Sequence, residues 1–197
     1  MACNVLCKSR KTMTKLEIKE LGTVDYEETH QAMLQLIASK PCNHTIWVLE
    51  HDPVFTIGIS EKSISEDKTK NPPFLKTDRG GKTTLHNPGQ KIVYFVLDLN
   101  KRKKDIRKLI TTIEKSIIEF LKIYKILGNS DKKNIGIWVN KKKIAAIGLR
   151  VSKLVAFHGC SINIDNNLKE YLKIIPCGLD NQKITSIYQE KKIRIKN

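Results

Sequence analysis

The chain has no run of apolar residues approaching the roughly 18 needed to cross a bilayer, so a membrane partner is not expected. Its five cysteines, Cys3, Cys7, Cys42, Cys160 and Cys177, make no CxxC pair and no repeated metal-ligand spacing, which argues against a zinc site. An odd cysteine count without a secretory signal points to reduced thiols and a cytoplasmic setting. Aromatic residues amount to only 6% and do not alternate with a basic run, which disfavours nucleic acid as a partner despite a formal net charge of +16. Neither GxxxxGK[ST] nor GxGxxG occurs, so the nucleotide-binding templates are unmatched. Residues 1 to 15 are basic, lack acids and the apolar core of a signal peptide, and contain one arginine. They read as a flexible tail before a single domain spanning residues 16 to 197.

What is present is a 197-residue chain, 40% hydrophobic, with 36 basic against 20 acidic side chains. The lysines are scattered, as expected of solvated faces, and their summed field would steer acidic proteins toward the molecule. Hydrophobic spacing predicts a strand from Leu16 to Leu21, then a helix through Tyr26, Met33, Leu34 and Ile37 that ends at Lys40-Pro41. Thr45 to Glu50 reads as a buried strand left through a proline turn at Pro53. Residues 60 to 78, with Pro72-Pro73, read as a long exposed loop. Ile92 to Leu99 predicts a strand, and the series Ile106, Leu109, Ile110, Ile113, Ile117, Phe120, Leu121 and Tyr124 predicts a long amphipathic helix. Ile135 to Val139 and Lys143 to Val151 read as a hairpin turning through Asn140-Lys141-Lys142, followed by a strand near Ala156 to Ile164 and a short helix near Leu168 to Tyr171. Periodicity alone therefore supports a mixed α and β domain.

Candidate chemistry gathers on two residues, Lys143 and Cys177. A thiol titrating near about 8.5 is mostly un-ionised at neutral pH, and a neighbouring cation raises its nucleophilic thiolate fraction. A buried lysine can be that cation and can also exchange protons. Upstream, the run Arg79-Gly80-Gly81-Lys82-Thr83-Thr84-Leu85-His86-Asn87-Pro88-Gly89-Gln90 allows a backbone to approach a ligand and present N–H groups to a carbonyl oxygen, or else makes a tight hairpin turn. His86 and His158 are read as hydrogen-bonding groups that order loops, and His30, His44 and His51 as chemically silent. Asp78 and Arg79 read as charges that fix the loop.

The motif Arg79-Gly80-Gly81-x-x-Thr84-x-His86-x-Pro88-Gly89-Gln90 with Tyr94 resembles the signature of the lipoyl/octanoyltransferases, also called lipoate-protein ligase B. The resemblance continues through Glu50-His51-x-Pro53-Val54-Phe55-Thr56-x-Gly58, Lys143-Ile144-Ala145-Ala146-Ile147-Gly148-Leu149-Arg150, His158-Gly159-x-x-Ile162-Asn163 and Pro176-Cys177-Gly178. It spans roughly residues 16 to 187, with the motifs in the family's order. It implies an α+β single domain of the biotin/lipoyl-protein ligase type, a mixed β-sheet flanked by helices. It places the acyl-bearing nucleophile on Cys177 and the essential lysine on Lys143, with Lys141 and Lys142 left as turn residues. Acyl-lining segments fall on Arg79, Gly80, Gly81, Lys82, Thr83, Thr84, Leu85 and His86, on Ala146, Ile147 and Gly148, and on Gly159, Cys160 and Ser161. Cys160 is then a small wall residue.

By that resemblance the donor is octanoyl-acyl carrier protein, and the acceptors are lysines on lipoyl domains of 2-oxoacid dehydrogenases and on the glycine cleavage H protein. The reaction passes through an acyl thioester and needs no metal, ATP or organic cofactor. The rival readings are an ATP-dependent lipoate-protein ligase, an inactive scaffold of the same fold, and a basic nucleic-acid-binding module.

Overall fold

The structure is a computed structural model describing residues 15–39, 43–101, 104–131, 134–174 and 184–193. The N-terminal tail up to residue 14, the Lys40-Pro41 helix stop and Cys177 lie outside the described residues. Strand β1 (Leu16–Val24) leads through Asp25 into helix α1 (Tyr26–Ala38), whose first turn is capped by the Asp25 carboxylate accepting from the Glu28 N–H at 2.9 Å. Then come β2 (His44–His51), β3 (Val54–Ile57), β4 (Phe74–Lys76), β5 (Thr84–His86) and β6 (Gln90–Asp98). Helix α2 (Ile106–Ile123) starts at Asp105, which accepts from the Lys108 N–H. The remainder is β7 (Asn129–Ser130), β8 (Ile137–Val139), β9 (Lys142–Ser152), β10 (Val155–Asn163), a 3₁₀ turn at Leu168–Lys173 and a short helix α3 (Ile187–Lys191).

Seven strands form one mixed sheet in the order β1-β2-β6-β10-β9-β8-β7, with β1 and β2 the parallel pair and the other pairings antiparallel. Alternation along β6 divides the core between its two faces. Ile92, Tyr94 and Val96 point toward α1, where Met33 packs with Trp47, Leu49 and Phe157. Val93 and Phe95 point the other way, into the cluster formed by Ile113, Ile117 and Leu121 of α2 with Ile137, Ile144, Cys160 and Ile162. The α2 residues recur every four positions, so one stripe is buried. Each such side chain contributes about 1.5–3 kcal/mol relative to exposure.

The expected elements from the first strand to β10 are present, with ends displaced by a few residues. Two expectations are corrected, and one strand appears that was not expected. The stretch 60 to 78 is not wholly an exposed loop, because β4 lies within it, Leu75 is buried, and Phe74 stacks on Phe55 with ring centroids 4.4 Å apart. The chain bends at Asp52-Pro53 as expected and then forms the unexpected strand β3, buried at all four positions. With β4 and β5 it makes a second, three-stranded sheet in the order β4-β3-β5. Finally, the β8–β9 turn uses only Asn140 and Lys141, at φ 48° and 65°, so Lys142 belongs to the strand.

The β10 glycine of the His-Gly motif has a steric reason. His158 adopts φ 61°, and a Cβ built on Gly159 would lie 1.8 Å from the Val93 carbonyl oxygen of β6. Gly159→Ala is therefore expected to destabilise the fold by about 3 kcal/mol through forced strand separation. A lowered urea midpoint at unchanged m-value checks it, and an unshifted midpoint would show that the strands can part without cost.

Candidate active site

Lys143 sits second in β9, opposite Trp138 of β8, and is buried with 6% of its surface exposed. Its Nζ donates to the Ile135 carbonyl at 3.1 Å and lies 5.1 Å from the centroid of the Trp138 ring. Trp138 is itself held by its indole N–H donating to the Asn134 carbonyl at 3.0 Å. Room for the lysine stem comes from Gly136. This residue has φ 140°, and a Cβ there would fall 2.6 Å from the Ala145 carbonyl oxygen and 2.9 Å from Lys143 Cε. The Lys143 Nζ is thus held in place by a carbonyl and an aromatic face, and among the described residues no Glu or Asp lines the cavity that it borders.

That cavity, about 390 Å³, falls in the usual range of about 300–1,000 Å³ for small-ligand sites. Its wall includes Arg79, Gly80, Gly81, Lys82, Thr84 and His86 from the glycine-rich run, Ala146, Ile147 and Gly148 from β9, and Gly159, Cys160 and Ser161 from β10. Of the expected lining residues, Thr83 and Leu85 alternate away from it. The Thr83 hydroxyl donates to Glu61 at 3.3 Å, and Leu85 packs with Phe55, Tyr171, Ile174 and Ile184. Further wall residues absent from the sequence expectation are Tyr94, Ile106, Ile110, Leu149 and Val151. The i, i+4 spacing of Ile106 and Ile110 reads equally well as core, which hides this role.

Residues 175–183, which carry Cys177, lie outside the described residues, but both flanks are placed. Ile174 and Ile184 share one buried cluster. Ile184 bridges to Lys143, and the Thr185 N–H donates to the Lys143 carbonyl at 3.0 Å. The segment bearing the cysteine thus rejoins the fold at the lysine.

Arg79 turns its guanidinium inward. Its Nε donates to Thr56 Oγ1 at 3.1 Å, Nη2 to the Thr56 carbonyl at 2.6 Å, and Nη1 to the Gly80 carbonyl at 2.9 Å. The preceding Asp78 accepts from His158 Nε2 at 2.6 Å and pairs with Arg150 Nε at 3.3 Å. Burial pushes its carboxyl up, but His158 and His30 outweigh that and hold it at about 2.

Four of the five histidines collect here, which sequence spacing does not reveal. Ring centroids are 5.3 Å apart for His30–His158 and 5.9 Å for His51–His86. Burial lowers the His51 and His158 pKa values and brings His86 to about 3, with repulsion from His51, once that ring is protonated in acid, adding to the effect. Neutral His51 donates through Nδ1 to the Val24 carbonyl at 2.7 Å and accepts the Tyr94 hydroxyl at 2.9 Å. His86 donates through Nδ1 to Gln90 at 2.7 Å. Burial pushes the Cys160 thiol up to about 12, which keeps this wall residue un-ionised.

These buried imidazoles predict acid lability. Unfolded, His86 binds a proton near 6.5, whereas folded it does so only near 3, so protons favour the unfolded chain throughout that interval. Stability is fully present above pH 6.5 and is lost as the pH falls, by up to about 1.4 kcal/mol per pH unit for each imidazole held neutral. Urea unfolding at pH 7.5 and 5.0 measures this, and equal midpoints would contradict it.

A mixed sheet with helices on both faces is the fold of solved lipoate- and biotin-protein ligases. A solved lipoate-protein ligase A bound with ATP superposes with TM-score 0.74 at 14% identity, covering 93% of this chain and 80% of that one. The biotin protein ligase of Aquifex aeolicus in complex with biotin and ATP gives 0.58 at 17% identity, covering 91% of this chain and 63% of that one. At these identities the likeness is one of fold. The sequence is closer to another group: the octanoyltransferase of Dechloromonas aromatica is 40% identical over 169 residues, 85% of this chain and 82% of the relative. That of Wolbachia pipientis wMel is 42% identical over 172 residues, 83% of each. The family profile described as the lipoyl protein ligase A/B catalytic domain matches residues 25–196. The chain belongs to that family and, within it, to the octanoyltransferases.

Proposed function

We propose that this acyltransferase moves an octanoyl group from the phosphopantetheine thioester of acyl carrier protein to a lysine of lipoyl domains, through a thioester on Cys177. The observation that carries the reading is Lys143, buried at the wall of a largely apolar cavity with its backbone tied to the segment leaving the cysteine. The Cys177 thiolate attacks the thioester carbonyl, the resulting oxyanion collapses, and the carrier sulfur leaves and takes a proton from Lys143. In the second half the acceptor ε-amine attacks, an amide forms, and the Cys177 thiolate is released while the amine proton passes to Lys143. The Gly80 N–H is committed to the Leu149 carbonyl at 3.3 Å, which leaves Gly81 or N–H groups near Cys177 to meet the oxyanion.

Candidate acceptors are the lipoyl domains of 2-oxoacid dehydrogenases and the glycine cleavage H protein. The excess of basic side chains suits acidic protein substrates, and a transfer rate falling about tenfold or more from low to high ionic strength is expected. A salt-independent rate would remove the steering role. No helix among the described residues is long and apolar enough to cross a membrane. We place the reaction in the cytoplasm with metal, ATP and organic cofactor unneeded. Intact-protein mass decides between transferase and ligase. A single octanoyl adduct after incubation with octanoyl-acyl carrier protein supports the proposal, whereas acyl-adenylate formation from octanoate and ATP with no adduct from the carrier overturns it.

A further inference from the structure

We propose that His30, Asp78 and His158 form a site for one divalent transition-metal ion of the zinc class. The three residues come from α1, the loop before Arg79 and β10, and the fold brings them together across separations of 48 and 80 residues. Asp78 Oδ1 lies 3.2 Å from His30 Nε2 and 2.6 Å from His158 Nε2, and the three atoms lie within 4.8 Å of one another. An ion held by bonds of about 2.0–2.2 Å in tetrahedral geometry spaces its ligand atoms roughly 3.4 Å apart. Small side-chain rotations therefore suffice to admit it.

The donor set selects the ion. Two imidazole nitrogens and one carboxylate oxygen suit zinc, cobalt, nickel or ferrous iron, whereas calcium and magnesium favour all-oxygen shells. The outer support is already in place: Arg150 holds the other Asp78 oxygen through Nε at 3.3 Å and the Asp78 carbonyl through Nη1 at 3.1 Å, which turns Oδ1 toward both imidazoles. The site is partly exposed to solvent. The Asp78 and His30 side chains retain 33% and 19% exposure, while His158 retains 2% and faces the acyl cavity. Binding requires each imidazole to carry its proton on Nδ1, freeing the Nε2 lone pair, and burial keeps His158 in the neutral form this needs. A bound ion would fasten α1 to the loop that lines the cavity, and the folded state would gain stability by mass action.

Cobalt(II) titration of the full chain, read by absorption and by thermal unfolding, is the test. One equivalent is expected to bind with visible d–d bands, without thiolate-to-cobalt charge transfer in the near ultraviolet, and with a raised unfolding temperature. His30 is on a partly exposed helix face, so His30→Ala should fold normally while binding cobalt about 10–100-fold more weakly; Asp78→Asn should weaken it similarly. Binding by His30→Ala as tight as that of the unaltered chain, or a signal carried entirely by thiolate bands, would overturn the site. In either case the triad is a hydrogen-bonded clamp alone.

Discussion

Lys143→Met is expected to lower octanoyl transfer by about 10²–10⁴-fold, the usual contribution of a positioned proton donor and acceptor, in a protein that still folds. Methionine keeps an unbranched apolar stem in the space left by Gly136 and against Trp138. What it removes is the ammonium that donates to Ile135, and with it the proton handling proposed for both half-reactions. Lys143→Arg should not rescue the rate, because a guanidinium does not give up its proton near neutral pH and its planar fork does not fit where a Cβ on residue 136 would already crowd the lysine. Single-turnover acylation beside urea unfolding separates the two effects. A folded Lys143→Met that transfers octanoyl within a few-fold of the unaltered rate would exclude Lys143 from the proton transfers.

Cys177→Ala is expected to abolish the covalent adduct and to reduce transfer by about 10⁴–10⁶-fold, leaving only what binding and orientation supply. The adduct on the unaltered chain should be labile to hydroxylamine, as a thioester is. Cys160 provides the internal comparison. Its buried thiol, pushed up to about 12, carries little thiolate at neutral pH, so Cys160→Ala should still accept one octanoyl group. An adduct that persists in Cys177→Ala would place the nucleophile elsewhere and end the proposed pairing with Lys143.

The long elements were legible because each carries enough residues for a period to show. Ile113, Ile117 and Leu121 mark a helix by their spacing, and the buried alternation of Ile92, Tyr94 and Val96 marks a strand. The strands β3, β4 and β5 span four, three and three residues, too few to establish a period, and prolines or glycines flank them. Their sheet exists because β3 pairs along its two edges with strands roughly 20 and 30 residues further along the chain, a choice made by long-range packing of Phe55, Phe74 and Leu85. In the candidate site the motif residues were visible as motifs. Gly136, Trp138 and Asn134, which hold Lys143 in position, were not singled out, since a lone glycine or tryptophan between strands has many structural uses.

By itself the sequence determined the class of domain, the residue types available for acyl chemistry and the order of the motifs that carry them, since these depend on local periodicity and on side-chain identity. Only the tertiary structure decided which of those side chains meet. Strand pairing puts Lys143 beside Ile184, loop packing ties the Arg79 guanidinium to Thr56 at the cavity wall, and burial holds His86 and His158 neutral while the fold gathers four histidines from separate elements. Contact between residues 48 or 80 positions apart follows from how the sheets and helices exclude water together, and no local pattern records it.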